Sequence, residues 1–516
     1  MKLRVATLMA LALAASPLQA KWYEASSDHF VIYADDSEKD IRTFAENLEK
    51  YHAAMEFVMR REVDKPSPSN RVTIFVVGDE KDIQRLAGDN SDNIAGFYVP
   101  RAGASRAFVQ DIRNRSNGYP HFSTVILLHE YAHHFLISSS RFATPRWLGE
   151  GAAEFFAAAT FNRDGSVNIG RPAMHRAAEL AYSKEVSVEE LLDEKLYEKN
   201  RGKRHDAFYG MSWALYHYLI FNKERSSQLA QYWKNVTSGA SSIEAARQAF
   251  GDLDQLDKEI DRYLTQRRMM NFELKPEMIP YGTVSLRELP EGEAEMMQVR
   301  IVSQRGVSRE EALALVVDAR EIAARYPSDP GVLTALAEAE FDAGNDDAAI
   351  AAADRAIALD PNRPNAYVQK GYALFRKAED ADDRDAAYAA AMEPFTALNR
   401  IENDHPMPLT HFYRSFIERG APPTETAKRA LERASELSPF DHGLAMNTAL
   451  MQAAEGKIEL AQFGLRPLAM NPHGGSLAAH AAAYLQQMEG AEEGEPWYPS
   501  MVVTMPEIEV EASSEE

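Results

Sequence analysis

The sequence predicts an α+β domain followed by an all-α solenoid of helical repeats. Three observations predict it. Between residues 21 and 272, strand-like runs come first and helical runs follow. From residue 292 the texture becomes Ala-rich and helical throughout. Within that second half, proline-bearing turns return at a nearly fixed distance. A chain of 516 residues is also too long for one ordinary core, so two or three domains are expected.

The first twenty residues stand apart. "MKLR" is a positive n-region, "VATLMALALAA" an apolar h-region too short to span a bilayer, and Ala20 a small residue for cleavage. Residues 1–20 read as a secretory signal peptide, and the mature chain as periplasmic or secreted. No later apolar run is long enough to span a membrane. The chain has no cysteine, so it has neither disulfides nor thiolate ligands for a metal.

After the leader, "HFVIYA" reads as a strand, and the helical run that follows has Ser37 as its N-cap. "RVTIFVVG" reads as a buried strand closed by Gly78. "NIAGFYVPRAGASRAFVQDI" reads as two short strands around a turn. Helices then dominate, including "DAFYGMSWALYHYLIFN" and "LDQLDKEIDRYLTQRRMM". Residues 273–291, rich in Pro and Gly without a helical period, read as a linker.

Residues 292–488 carry the repeats. Their turns hold Pro327, Pro361, Pro406, Pro439 and Pro472, at spacings of 34, 45, 33 and 33. A period near 34 with paired helices is the sign of tetratricopeptide repeats (TPR). Ala337, Ala349, Ala356 and Gly371 fall on the small positions where two helices approach, and Tyr367 on a large one. The spacing of 45 holds an acidic insertion, "AEDADDRDA", read as a solvated turn because it lacks the ligand pattern of a calcium loop. Residues 489–516 hold nine glutamates and no basic residue, and read as a disordered acidic tail.

Net charge is −22, and loss of Lys2 and Arg4 with the leader makes it −24. That excludes nucleic acid and anionic membrane surfaces as natural partners.

The chemistry sits in "VILLHEYAHHFL". His129 and His133 are four apart, so on a helix they project from one face and can grip one zinc ion. Glu130, 100° round the helix, falls beside the open position of such a metal, where it can act as general base. A histidine pair hydrogen-bonded in a core helix is the plain alternative. The third ligand decides between them. Glu150 lies seventeen residues after His133, in "PRWLGEGAAEFF". A helix–loop–helix brings it back beside the histidines. Glu154, one turn further, is placed to accept a hydrogen bond from the outer nitrogen of a zinc-bound histidine. His134 faces elsewhere, and His217, Trp147 and Trp213 read as core residues.

"HEYAHH" with "PRWLGEGAAEFF" resembles the gluzincin metallopeptidases, whose third zinc ligand is the glutamate of a W-L-x-E-G segment. The resemblance covers residues 22–270. It is closest to peptidase-MA-like bacterial proteins that join a zincin-like domain to tetratricopeptide repeats. It implies a zinc peptidase with His129, His133 and Glu150 as ligands and Glu130 as base. "YGMSW" resembles the segment that supplies a donor to the oxyanion, which implies Tyr209 in that role; His205 is a second candidate. The chain departs from the aminopeptidase branch. "AGFYV" stands where a G-x-M-E-N type strand would lie and lacks its glutamate, so amino-terminal anchoring is not implied.

The expected function is zinc-dependent peptide hydrolysis outside the cytoplasm, with the repeats recruiting a protein substrate or partner. The alternative is a repeat scaffold with a slow or vestigial peptidase domain.

Overall fold

The computed structural model describes residues 21–88, 94–110, 112–113, 120–202, 205–471 and 473–500. The expected signal peptide and residues 501–516 of the tail lie outside the described residues.

Among the described residues nine strands form two sheets: β1 (Tyr23–Ser26), β2 (Phe30–Ala34), β3 (Val72–Val76), β4 (Gly96–Val99), β5 (Arg106–Val109), β6 (Thr160–Phe161), β7 (Val167–Ile169), β8 (Phe272–Leu274) and β9 (Ser285–Glu288). The larger sheet has the order β4-β5-β3-β2-β1-β9, and the smaller β6-β7-β8. The larger sheet's central pairs, β2–β3 and β3–β5, are parallel, and its outer pairs antiparallel. β3 is buried at all its positions, Thr73 included, as a central strand in a sheet covered on both faces must be. β4 takes the edge position foreseen for "AGFYV".

Eleven helices belong to this part among the described residues: α1 (Glu38–Met59), α2 (Glu80–Ala87), α3 (Phe122–Ser139), α4 (Arg146–Ala157), α5 (Ala177–Tyr182), α6 (Val188–Leu192), α7 (Glu194–Asn200), α8 (Phe208–Phe221), α9 (Gln228–Thr237), α10 (Ser242–Phe250) and α11 (Leu253–Leu264). Ser37 caps α1, accepting from the Asp40 amide. One sheet face packs through Phe30, Ile32 and Ile74 against α1 and α3. The Tyr51 hydroxyl of α1 donates to the Leu128 carbonyl at 2.9 Å and fixes the height of α3.

The expected linker is structured. β8 completes the small sheet against β7, and β9 pairs with β1. β8 is three residues long, with Leu274 buried and Glu273 exposed, and β9 is largely exposed; runs this short carry too little alternation to be read as strands.

The second half is helical: α12 (Glu291–Glu295), α13 (Met297–Arg305), α14 (Arg309–Arg325), α15 (Pro330–Asp342), α16 (Asp346–Leu359), α17 (Pro364–Glu379), α18 (Arg384–Ile401), α19 (Pro406–Glu418), α20 (Glu425–Leu437), α21 (His442–Ala454), α22 (Ile458–Ala469) and α23 (Gly475–Gln487). The recurring prolines sit in or just before the turns that open α15, α17, α19 and α21. Proline suits a first helical turn, where its missing N–H costs nothing. Ala337, Ala349 and Ala356 are fully buried, and a Cβ on Gly371 would lie 2.4 Å from the Phe395 ring. The small residues thus set how closely the helices pack.

Met297 and Ile301 of α13 pack with Phe75 and Phe108 on the sheet's second face, so the two halves share a core. The start of the tail is docked too. Trp497 packs on the last helices, and its backbone N–H donates to the Ala453 carbonyl at 2.9 Å. The docking of Trp497 outweighs the acidic composition that suggested disorder for residues 489–500. No helix among the described residues is long and apolar enough to cross a membrane.

Candidate metal centre

α3 buries Leu127, Leu128, Tyr131, Ala132 and Phe135, which leaves His129, Glu130 and His133 on its partly exposed side. A loop of six residues, 140–145, turns the chain back into α4. Trp147 is buried at the start of α4, its indole N–H donating to the Tyr232 hydroxyl at 2.8 Å. Gly151 lies against α8: a Cβ there would stand 2.4 Å from the Ser212 carbonyl oxygen. The "WLGEG" segment therefore seats α4, and seating α4 aims Glu150 at the histidines.

Three donor atoms converge. His129 Nε2 and His133 Nε2 are 3.1 Å apart. Glu150 Oε2 is 3.4 Å from the first and 3.3 Å from the second. Among the described residues these three alone form a group whose metal-ligating atoms all lie within 4.8 Å of one another. A tetrahedral ion with bonds of about 2.05 Å sets its donors about 3.3 Å apart. The triangle has the size that zinc requires.

The electrostatics agree. Glu150 and Glu154 are both fully buried. Glu154 has a permanent cation: its Oε1 accepts from Arg176 Nη2 at 2.7 Å, and its Oε2 pairs with His175 Nε2. The outer nitrogen of His129, Nδ1, also lies 3.2 Å from Glu154 Oε1. Glu150 has no arginine or lysine among the described residues; its partners are His129, His133 and His473. Burial alone would raise the Glu150 pKa, but the His133 charge and the histidine hydrogen bonds hold it well below the usual range. Burial alone would lower the His129 pKa, yet hydrogen bonds and charge from Glu150 and Glu154 raise it to about 10. The pair of carboxylates demands a cation between these side chains, a proton or a metal.

Glu130 is partly exposed and enters no ion pair among the described residues. Tyr209 opens α8 with its ring 4.6 Å from the Arg176 guanidinium, one link from Glu154. His205 is exposed and stays out of this network. His134 faces away, as expected. Its Nδ1 meets the Tyr98 hydroxyl at 2.6 Å, its ring lies 4.3 Å from Phe440, and burial pushes its pKa down to about 3. His217 is a core histidine between the Tyr263 hydroxyl and the Gly170 carbonyl.

Three contributors carried no readable signal. His175 and Arg176 sit in a short turn of 3-10 helix after the small sheet's first hairpin. His473 lies in the turn between α22 and α23, and its Nε2 is 3.1 Å from Glu150 Oε1.

Residues 330–374 match a tetratricopeptide-repeat family model. The C-terminal region carries tetratricopeptide repeats. Residues 122–240, which include α3 and α4, match a second model, described as a protein of unknown function (DUF1570). No curated protein matches the chain. Solved structures similar to it include a thermophilic TPR protein of Thermus thermophilus, at 16% identity and a TM-score of 0.33, over 38% of this chain and 99% of that one. MamA from Desulfovibrio magneticus RS-1 aligns at 16% identity and a TM-score of 0.27, over 40% and 98%. Yeast Tom70 aligns at 11% and 0.24, over 71% and 87%.

Proposed function

We propose that this chain is an exported zinc-dependent peptidase of gluzincin type whose repeats recruit a protein substrate or partner. One observation carries the reading: the 3.1, 3.3 and 3.4 Å triangle of His129, His133 and Glu150 donors. Bound zinc would supply a Lewis acid that polarises a carbonyl and lowers the pKa of water. Glu130, beside that position and partly exposed, takes the proton of the attacking water and returns it to the leaving amine. Glu154 holds His129 by its outer nitrogen, so the imidazole keeps the tautomer and angle a ligand needs. Tyr209 is the proposed donor to the oxyanion. Export rests on the leader at residues 1–20.

The second reading is a repeat scaffold with a slow or vestigial metal domain. The comparisons speak for it more than for the first. They reach the repeats, an architecture that binds proteins, and attach no activity to residues 122–240.

The test is direct. Chain from residue 21 onward is purified, its zinc measured, and wild type compared with Glu130→Gln on a mixed peptide library. The peptidase reading expects one zinc per chain in both, and cleavage about 100- to 10,000-fold weaker in the variant. Zinc retained without Glu130-dependent cleavage favours the scaffold. No zinc in either sinks the metal reading.

A further inference from the structure

The two halves meet around the metal-facing helices. Asn70 donates its amide to the Leu437 carbonyl at 2.7 Å, and the Ala102 amide donates to Asp441 at 2.9 Å. Phe142, in the loop between α3 and α4, meets the Phe463 ring edge-on at 5.5 Å. These contacts seat the last repeats over α3 and α4. From there the turn between α22 and α23 extends one side chain, His473, to a carboxylate 323 positions earlier.

We infer that the last repeat is part of the metal centre: His473 positions Glu150 by holding the carboxylate oxygen that does not face the histidines. The inference rests on reading His129, His133 and Glu150 as metal ligands. Glu150 divides its two oxygens. Oε2 faces His129 and His133, and Oε1 accepts from His473. A carboxylate only accepts, so the His473 Nε2 carries the proton in this bond. Glu150 is buried, and with Oε1 engaged it has one oxygen to offer a metal. Release of Oε1 lets the carboxylate rotate, bind through both oxygens or drift from the triangle. Such outer partners are worth a factor of about 10 to 100 in metal affinity. Docking of the repeats and occupancy of the metal site are then linked. Whatever moves the last repeat changes how firmly the metal is held, and whatever binds the metal tightens the seam between the halves. His473 touches no reacting atom in this account; it is a positioning residue.

The experiment uses the chain from residue 21 onward. Zinc affinity is measured by competition with a chromophoric chelator, and the visible spectrum of the cobalt(II) form is recorded. Wild type is compared with His473→Ala, His473→Gln and, as a control, His480→Ala, whose side chain stacks on Tyr484 instead. Because His473 is half exposed, its loss does not threaten the fold. The expected result is a loss of zinc affinity of about 10- to 100-fold in His473→Ala. Gln, whose amide can reach the same oxygen, recovers part of it, and the control stays at the wild-type value. Cobalt absorption falls in His473→Ala as a second Glu150 oxygen enters the coordination. Affinity within twofold of wild type in His473→Ala, or a loss that Gln does not reduce, overturns the inference and leaves the zinc reading standing. A wild type that binds neither zinc nor cobalt overturns both.

Discussion

Each half of the molecule buries a glutamate on a packed helix pair, and the two answer that charge differently. In the repeats, Glu340 of α15 is 3% exposed and receives both arms of Arg320, at 2.6 Å each. In the metal half, Glu154 is answered in the same manner by Arg176. Glu150, one helical turn before it, is answered by three histidines. Glu340 and Glu154 each bring a permanent cation. Glu150 does not, and its neighbours converge at metal-ligand spacing instead. On the proposed reading, the difference separates a buried charge that holds a fold from one that would hold an ion.

The comparison breaks most visibly at Glu150 itself. Glu150→Gln should weaken zinc by about 4 kcal/mol, roughly a thousandfold, a third of what a buried zinc site commonly contributes. In the metal-free chain the same change should also cost stability, because the folded state holds this carboxylate ionised against its histidines. Chelator competition and calorimetry of the metal-free chain check the two halves of this claim. Undiminished zinc affinity in the variant would place Glu150 with the structural glutamates.

Arg176→Met should act on the fold without removing a proposed ligand. It leaves the buried Glu154 charge to His129 and His175, and losing one partner of a buried pair costs about 3 kcal/mol when the lost partner is partly exposed, as Arg176 is. Denaturant unfolding without metal should show that loss. If Arg176→Met unfolds like wild type, Glu154 does not need its cation and the contrast with Glu150 loses its ground.

The sequence exposed one side of this contrast only. His129, Glu130, His133, Glu150 and Glu154 are legible because helical spacing puts i and i+4 on one face, and two such pairs a short loop apart can meet. The repeats are legible because proline recurs, at nearly one spacing, at or just before the start of a helix. His175, Arg176 and His473 are not, because a contact across 21, 22 or 323 positions leaves no periodic trace. β8 and β9 stayed hidden for a related reason: each is three or four residues long and is defined by backbone pairing with strands far away in the chain. What answers a charge is decided by tertiary packing, and that is where a single sequence falls silent.

Histidines sharpen the same comparison through pH. His217 in the metal half and His411 in the repeats are buried without a carboxylate partner, and burial pushes them down to about 4 and about 3. His411 is surrounded by the rings of Tyr372, Phe375 and Phe395, and the nearby Arg414 charge adds to the effect. His129, between two carboxylates, moves the opposite way. For His411 the folded pKa lies below the unfolded value near 6.5, so the unfolded state binds more protons as pH falls. Its contribution is complete at pH 7 and declines below 6.5, by about 2 kcal/mol at pH 5. Between pH 7 and 5, His411→Phe should therefore lose about 2 kcal/mol less stability than wild type in denaturant titrations. Equal slopes would mean that His411 reaches water in the folded chain.

The smallest effect is expected where the repeats already supply everything. Glu340→Gln keeps the hydrogen-bonding shape, and Asn345 remains within reach at 2.8 Å in the present geometry. Arg320, its side chain 52% exposed, turns to water when its partner loses charge. The net cost should be about 1 kcal/mol, that of an ordinary hydrogen bond, and zinc affinity should not change. The outcome at Glu340 sets the scale for Glu150. A change at either glutamate deletes one buried negative charge, and only the one answered by histidines should take a metal with it.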